Sequence, residues 1–251
     1  MKITLKDLGT KEKLKKYVIE NGCFDVEENE RIYTKWFSAA PRYLFRAANK
    51  KYHLTDMTLC DAGCSYGMNL VFCNNYSYGL EIQDKEVDFA RSLGLKVYKQ
   101  DIIKDDLSSL PKVDAVWNSA VLEHVDSPHV LLRKLWQLLK PNGLLVLYVP
   151  TMPPFLFLKH MPYFGKYFIG HTHGDHVGAF TPKTLRFTCE SAGFETVEVT
   201  PFYPGAMSLF NKIGNVLDGC VYIGRKNENW QYPANATSRK ADNSQGYTQK
   251  H

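Results

Sequence analysis

The chain has 251 residues, 44% of them hydrophobic and 23% charged, with a formal net charge of +5. These are globular values, which exclude a disordered polymer and leave ample length to bury a core in one domain with elaborations. The basic excess is dispersed, so it builds no stripe for nucleic acid, and the densest cluster, KEKLKKY at 11–17, reads as the solvated face of an N-terminal helix.

Residues 1–55 read as a helical N-terminal cap with no clear strand, its first helix stopped at Gly22 and its second stretch of aromatics interrupted at Pro41. An alternation of strands and helices follows. MTLCDAG at 57–63 and SYGLEI at 77–82 are short apolar runs, and DKEVDFARSLG is a helix with an acidic start and a glycine stop. LKVYKQDI and VDAVWNSA are strands, the second buried. SPHVLLRKLWQLLKPNG is a helix with Ser127 as cap, Pro128 at its first position and Pro141–Gly143 as its end. LLVLYVP is apolar on both faces, as a central parallel strand should be. TPKTLRFTCESAGF repeats the grammar with Thr181, Pro182 and Gly193, and ETVEVTPF and CVYIGRK are the last strands. Such alternation predicts an α/β fold, a doubly wound Rossmann-like sheet with helices on both faces. Residues 227–251 turn polar and read as a disordered tail.

Six cysteines stand at 23, 60, 64, 73, 189 and 220 without a C-x-x-C pair, the pattern of reduced, buried thiols in a cytoplasmic protein. No apolar core opens the chain, so no signal peptide is expected, and no uncharged run approaches the roughly 18 residues of a membrane span.

The chemistry points to LCDAGCSYG at 59–67. A strand ends at Asp61, a glycine-rich turn follows, and a helix is expected to begin near Met68; Gly63 and Gly67 let a ligand approach the backbone. About twenty residues on, Glu81 ends the next strand, where an acid can bind both hydroxyls of a ribose. After the third strand, Asp101 can accept from an adenine amino group and Ile102 can cover its ring. All fall at carboxyl ends of strands, where open α/β sheets bind ligands.

These segments resemble the motifs of class I S-adenosylmethionine-dependent methyltransferases. GCSYG stands where GCGxG is commoner, LEI with Glu81 and Ile82 resembles the second motif, KQDI the third, and VDAVWNSAVLEHVDSPHVLLRKLWQLLKPNGLLVLYVP the fourth and fifth. The resemblance covers residues 55–226 and implies a seven-stranded sheet whose last strand, CVYIGRK, is antiparallel. It implies S-adenosyl-L-methionine as cofactor, bound at Asp61, Gly63, Cys64, Ser65, Gly67, Glu81, Ile82, Asp101, Ile102 and Asn118. Ser65, in place of a glycine, stiffens the turn. Residues 56–226 are then the methyltransferase domain, with 150–180 a lid insertion over a small-molecule acceptor, most simply an oxygen.

Within that insertion, HTHGDH at 171–176 resembles the metal signature of metallo-β-lactamases. That chemistry needs further ligands downstream, and only His251 follows; no metal is assigned. His124, expected near the sulfonium, and His171, His173 and His176 are instead candidate bases, because imidazole titrates near neutrality. Arg31, Arg42 and Arg46 are candidates to cap the cofactor cleft, the alternative being an ordinary amphipathic helix packed on the sheet. A non-catalytic binding domain of the same fold is the competing reading, and no pattern specifies an oligomeric state.

Overall fold

The computed structural model describes residues 3–34, 43–150, 176–202 and 219–231. A short 3₁₀ turn at Leu5–Leu8 leads into helix α1 (Lys11–Asn21), whose cap Thr10 accepts from the Lys13 N–H at 3.2 Å. Leu14, Tyr17 and Val18 are buried at helical spacing while the lysines face solvent, as the sequence predicts.

The N-terminal segment is not purely helical. Strands β1 (Phe24–Val26) and β2 (Ile32–Thr34) pair antiparallel, with Phe24 opposite Thr34 and Val26 opposite Ile32. Three residues are too few for a period of two to show in sequence. Helix α2 (Phe45–Tyr52) follows and ends at His53, whose φ of 54° is left-handed.

The main sheet is built from β3 (Leu59–Ala62), β4 (Tyr78–Glu81), β5 (Val97–Lys99), β6 (Val113–Ser119), β7 (Leu139–Pro150), β8 (Phe194–Phe202) and β9 (Gly219–Lys226). Its order is β5-β4-β3-β6-β7-β9-β8, with β9 antiparallel to both neighbours and the first five strands parallel. The chain winds outward from β3 through α3 (Asp84–Ser92) to β5, then returns to the other side of β3 as β6. This reversal opens a crevice at the carboxyl ends of β3 and β6, where a doubly wound sheet takes its ligand. The seven-stranded fold with its antiparallel last strand is as expected.

The helices cover both faces. Helix α4 (Pro128–Leu138) buries Leu131, Leu132, Leu135 and Leu138 completely, and with Leu185 and Cys189 of α5 (Pro182–Ser191) it packs one face against Val116, Leu145 and Leu147. On the other face Phe45 of α2 meets Trp117 edge-on, ring centroids 5.2 Å apart. Burying a residue of this size contributes roughly 2–3 kcal/mol. Helix α1 and the β1–β2 ribbon pack against Tyr66, Leu70 and α3.

Two boundaries differ from expectation. The helix expected near Met68 is only a 3₁₀ turn, Leu70–Phe72, because the chain must already be back in β4 at Tyr78. Helix α4 ends at Leu138, three residues before Pro141, because Leu139 is already extended and pairs with Val113 of β6. Ser127 occupies the cap position of α4 but its hydroxyl makes no capping bond, whereas Thr181 caps α5 as predicted.

Candidate functional site

Strand β3 delivers Asp61 and the turn 63–67 to the crevice. Gly63 and Gly67 have φ of 83° and 80°, and each is packed too closely for a side chain: a Cβ at Gly63 would stand 2.4 Å from Val121 Cγ2, and one at Gly67 2.5 Å from Leu95 Cδ1. The Gly63 and Cys64 amides both donate to the Leu80 carbonyl, at 2.9 and 3.1 Å, tying the turn to β4. Ser65 also lies in the left-handed region, with φ of 48°, in conformational space where its Cβ is strained. Cys64 is buried against Gly79, and burial pushes its thiol well up, as it does that of Cys60. All six cysteines are free thiols, and these two are packing groups without thiolate character.

Glu81 closes the next strand end. Its Oε2 accepts from the Ser65 N–H at 2.9 Å, and its Oε1 from the Ile82 and Gln83 amides at 2.7 and 3.1 Å. A carboxylate has about four acceptor positions, so at least one remains. Ile82 beside it is 50% exposed, an apolar surface left open at the strand end.

Asp61 lies deeper, 2% exposed. Burial and then the Glu81 charge push its carboxyl well up, against a hydrogen bond from Asn69 that favours the ionised form. Its Oδ2 has no hydrogen-bond partner among the described residues, and neither have Asn69 Oδ1, Gln100 Oε1, Asn118 Oδ1 and Ser119 Oγ, all buried. Asn118 does donate, to the Ala62 carbonyl at 2.8 Å. Asp61, Gln100, Asn118 and Ser119 end or follow three parallel strands. Buried acceptors without donors are costly, and together they suit a ligand rich in N–H and O–H groups. Asn69, Gln100 and Ser119 were not anticipated from sequence; the Gln100 signal was its place in KQDI, and Asn69 and Ser119 carried none.

Asp101 is engaged by its own turn. Its Oδ1 accepts from the Ile103 and Lys104 amides at 3.0 and 3.2 Å, and its Oδ2 lies 3.3 Å from the Lys104 ammonium. Burial pushes its carboxyl up, but these donors outweigh it and hold it below the usual value. Ile102 is 9% exposed and packs into the main core with Leu107.

The turn after β6, Leu122–His124, brings in the histidines. His124 is partly exposed and His176 meets it edge-on, centroids 4.7 Å apart and planes at 86°. The contact is fixed by backbone, because the Val177 and Gly178 amides both donate to the Glu123 carbonyl at 2.9 Å. Glu123, which sequence reasoning passed over, has its carboxylate buried at 1% exposure with Oε1 3.9 Å from His124 Nε2. His171 and His173 lie outside the described residues, as do Arg42, most of the 150–180 insertion and residues 232–251. Arg31 and Arg46 are solvent-exposed, and α2 lies on the sheet face rather than at the strand ends.

Comparison with known proteins places this crevice in context. The family model described as a methyltransferase domain matches residues 29–199. Among solved structures the chain is similar to a putative methyltransferase from Bacillus halodurans, at 14% identity and a TM-score of 0.56 over 73% of this chain and 98% of that one. It is similar to an S-adenosylmethionine-dependent methyltransferase from Mesorhizobium loti, at 19% identity and 0.55 over 73% and 96%, and to one from Archaeoglobus fulgidus, at 20% and 0.53 over 73% and 93%. No curated protein matches the sequence. No helix among the described residues is long and apolar enough to cross a membrane. The glycine-rich turn, the acid-ended second strand and the seven-stranded order thus belong to a chain of the methyltransferase-domain family, a class I methyltransferase that uses S-adenosyl-L-methionine.

Proposed function

We propose that the chain methylates a small molecule, most simply at oxygen, and that the cluster of unpartnered buried acceptors at the strand ends holds the cofactor. That cluster carries the reading. Asp61, Asn118 and Ser119 would accept from the ammonium and amino groups, Glu81 from ribose hydroxyls through its remaining acceptor position, and Ile82 would lie under an apolar ring face. Gly63, Cys64, Ser65 and Gly67 shape the turn against which it lies. Asp101 and Ile102 contribute by ordering the turn after β5. Bound there, the cofactor supplies an electrophilic methyl group on a sulfonium.

The chain's own task is to align the acceptor and take up its proton. His124 and His176, at the rim of this crevice beside buried Glu123, are the described groups suited to that; His171 and His173 complete the candidate set from sequence. Residues 1–55 form the cap, 56–226 the methyltransferase domain with 150–180 as acceptor lid, and 227–251 a tail. Buried free thiols and dispersed charge suit a cytoplasmic enzyme with no nucleic-acid partner.

Calorimetric titration with S-adenosylmethionine in chelator-containing buffer tests the site. Micromolar binding is expected, weakened at least about tenfold by Asp61→Asn, since a charge-assisted hydrogen bond contributes about 1.5–3 kcal/mol. Absence of binding by a folded chain would overturn the assignment.

A further inference from the structure

The turn after β6 holds a donor set that methyl transfer as such does not require. Glu123, His124 and His176 each offer one ligand atom, and these three atoms all lie within 4.8 Å of one another. Ligands of a tetrahedral ion with bonds of about 2.1 Å stand about 3.4 Å apart. The Glu123–His124 edge, at 3.9 Å, therefore needs to close by about 0.5 Å, and no edge by more than about 1.4 Å. Two imidazoles on one ion place their centroids about 5 Å apart, close to the 4.7 Å between His124 and His176.

The two histidines come from segments far apart in the chain, and backbone bonds hold them together: the Val177 and Gly178 amides clasp the carbonyl of the same residue whose carboxylate is buried between core and rim. Two nitrogens and one carboxylate form a borderline-soft set. It suits zinc and its neighbours and is poor for magnesium or calcium, which take oxygen.

We propose that Glu123, His124 and His176 bind one divalent transition-metal ion of the zinc class, leaving a fourth position for the acceptor. The proposal rests on the methyltransferase reading only for its consequence. A hydroxyl or thiol acceptor in that fourth position releases its proton to solvent water, the bonding pair stays on the acceptor atom, and a nucleophile is available at lower pH than the free acceptor allows. The ion, rather than a free imidazole, then lowers the barrier to deprotonation.

The test uses the full chain, stripped with chelator and dialysed against cobalt(II) and then zinc(II), with neither cofactor nor acceptor present. One cobalt per chain is expected, with the intense visible absorption of a four-coordinate site, displaced by zinc. His124→Asn and His176→Asn should each weaken binding at least about tenfold, and Glu123→Gln should do the same where it folds; the exposed His53→Ala should not. Less than about a tenth of an equivalent of cobalt, or binding that both histidine variants leave intact, overturns the site. S-adenosylmethionine titration on the same stripped sample separates the two readings. Cofactor binding without any metal binding sinks the ion and leaves the methyltransferase site. Metal binding without cofactor binding sinks the assignment of the crevice and leaves the ion site standing.

Discussion

The backbone amide of Ser65 donates to the Glu81 carboxylate at 2.9 Å, so the glycine-rich turn after one strand is held by the acid that ends the next. The residue that makes this bond is left-handed, a serine at φ of 48°.

Substitutions at Ser65 should therefore sort by backbone preference. Ser65→Gly should alter stability by less than about 1 kcal/mol, strain relief offsetting the entropy glycine loses. Ser65→Val, β-branched at positive φ, should cost about 2 kcal/mol or more. Chemical denaturation of the two variants checks this, and equal stabilities would contradict it.

At Gly63 both backbone and space oppose a side chain, since a Cβ would stand 2.4 Å from Val121 Cγ2. Gly63→Ala should cost about 2–3 kcal/mol and weaken cofactor binding more than tenfold. A Gly63→Ala/Val121→Ala pair should recover part of the stability, because it clears the clash and leaves the backbone strain.

Asp61 makes a pH prediction of unusual sign. Burial first, then the Glu81 charge, raises its folded value above the ordinary 3.8. Between those two values the folded chain binds more protons than the unfolded one, so its contribution to stability falls as pH rises through that window. Asp61→Asn should remove this slope and raise the melting temperature at neutral pH while weakening cofactor binding. Melting curves across pH, without ligand, decide it; a parallel pH profile for variant and parent would refute the assignment.

Glu198 shows the opposite behaviour. The Lys51 ammonium first, then the Thr200 and Tyr52 hydroxyls, lower its carboxyl from 4.5 to about 2, and Tyr52 donates to it at 2.8 Å. This stabilisation is present above the unfolded value and is lost as pH falls from 4.5 towards about 2. Because the pair joins α2 to β8, Glu198→Gln should loosen α2 and flatten the acid limb of the melting profile, with a small effect at neutral pH given the exposure of Lys51.

The order of strands and helices was legible because each long element carries its own signals: caps at Thr181, proline at 128 and 182, and apolar runs in β6 and β7. The β1–β2 ribbon and the 3₁₀ turn at Leu70–Phe72 escaped because both are too short to display a period. Asp61 and Glu81 were singled out in the sequence by their strand-end positions, where the structure also puts them. The engagement of Asp101 by its own turn was not, since whether a carboxylate faces a ligand or a neighbouring amide depends on local dihedrals. The union of Glu123, His124 and His176 depends on where residues 176–178 return to the fold, which only tertiary structure reveals.

That return has an evolutionary consequence. The segment leaving β7 at Pro150 starts from the strand paired with β9, and its other end is clasped to Glu123 by two amides. Both anchors belong to the framework, and each is held by backbone hydrogen bonds that do not depend on the sequence between them. If the segment between these anchors meets the acceptor, as proposed above, sequence change within it would leave the strand ends and the Glu123 turn in place while altering what the site accepts.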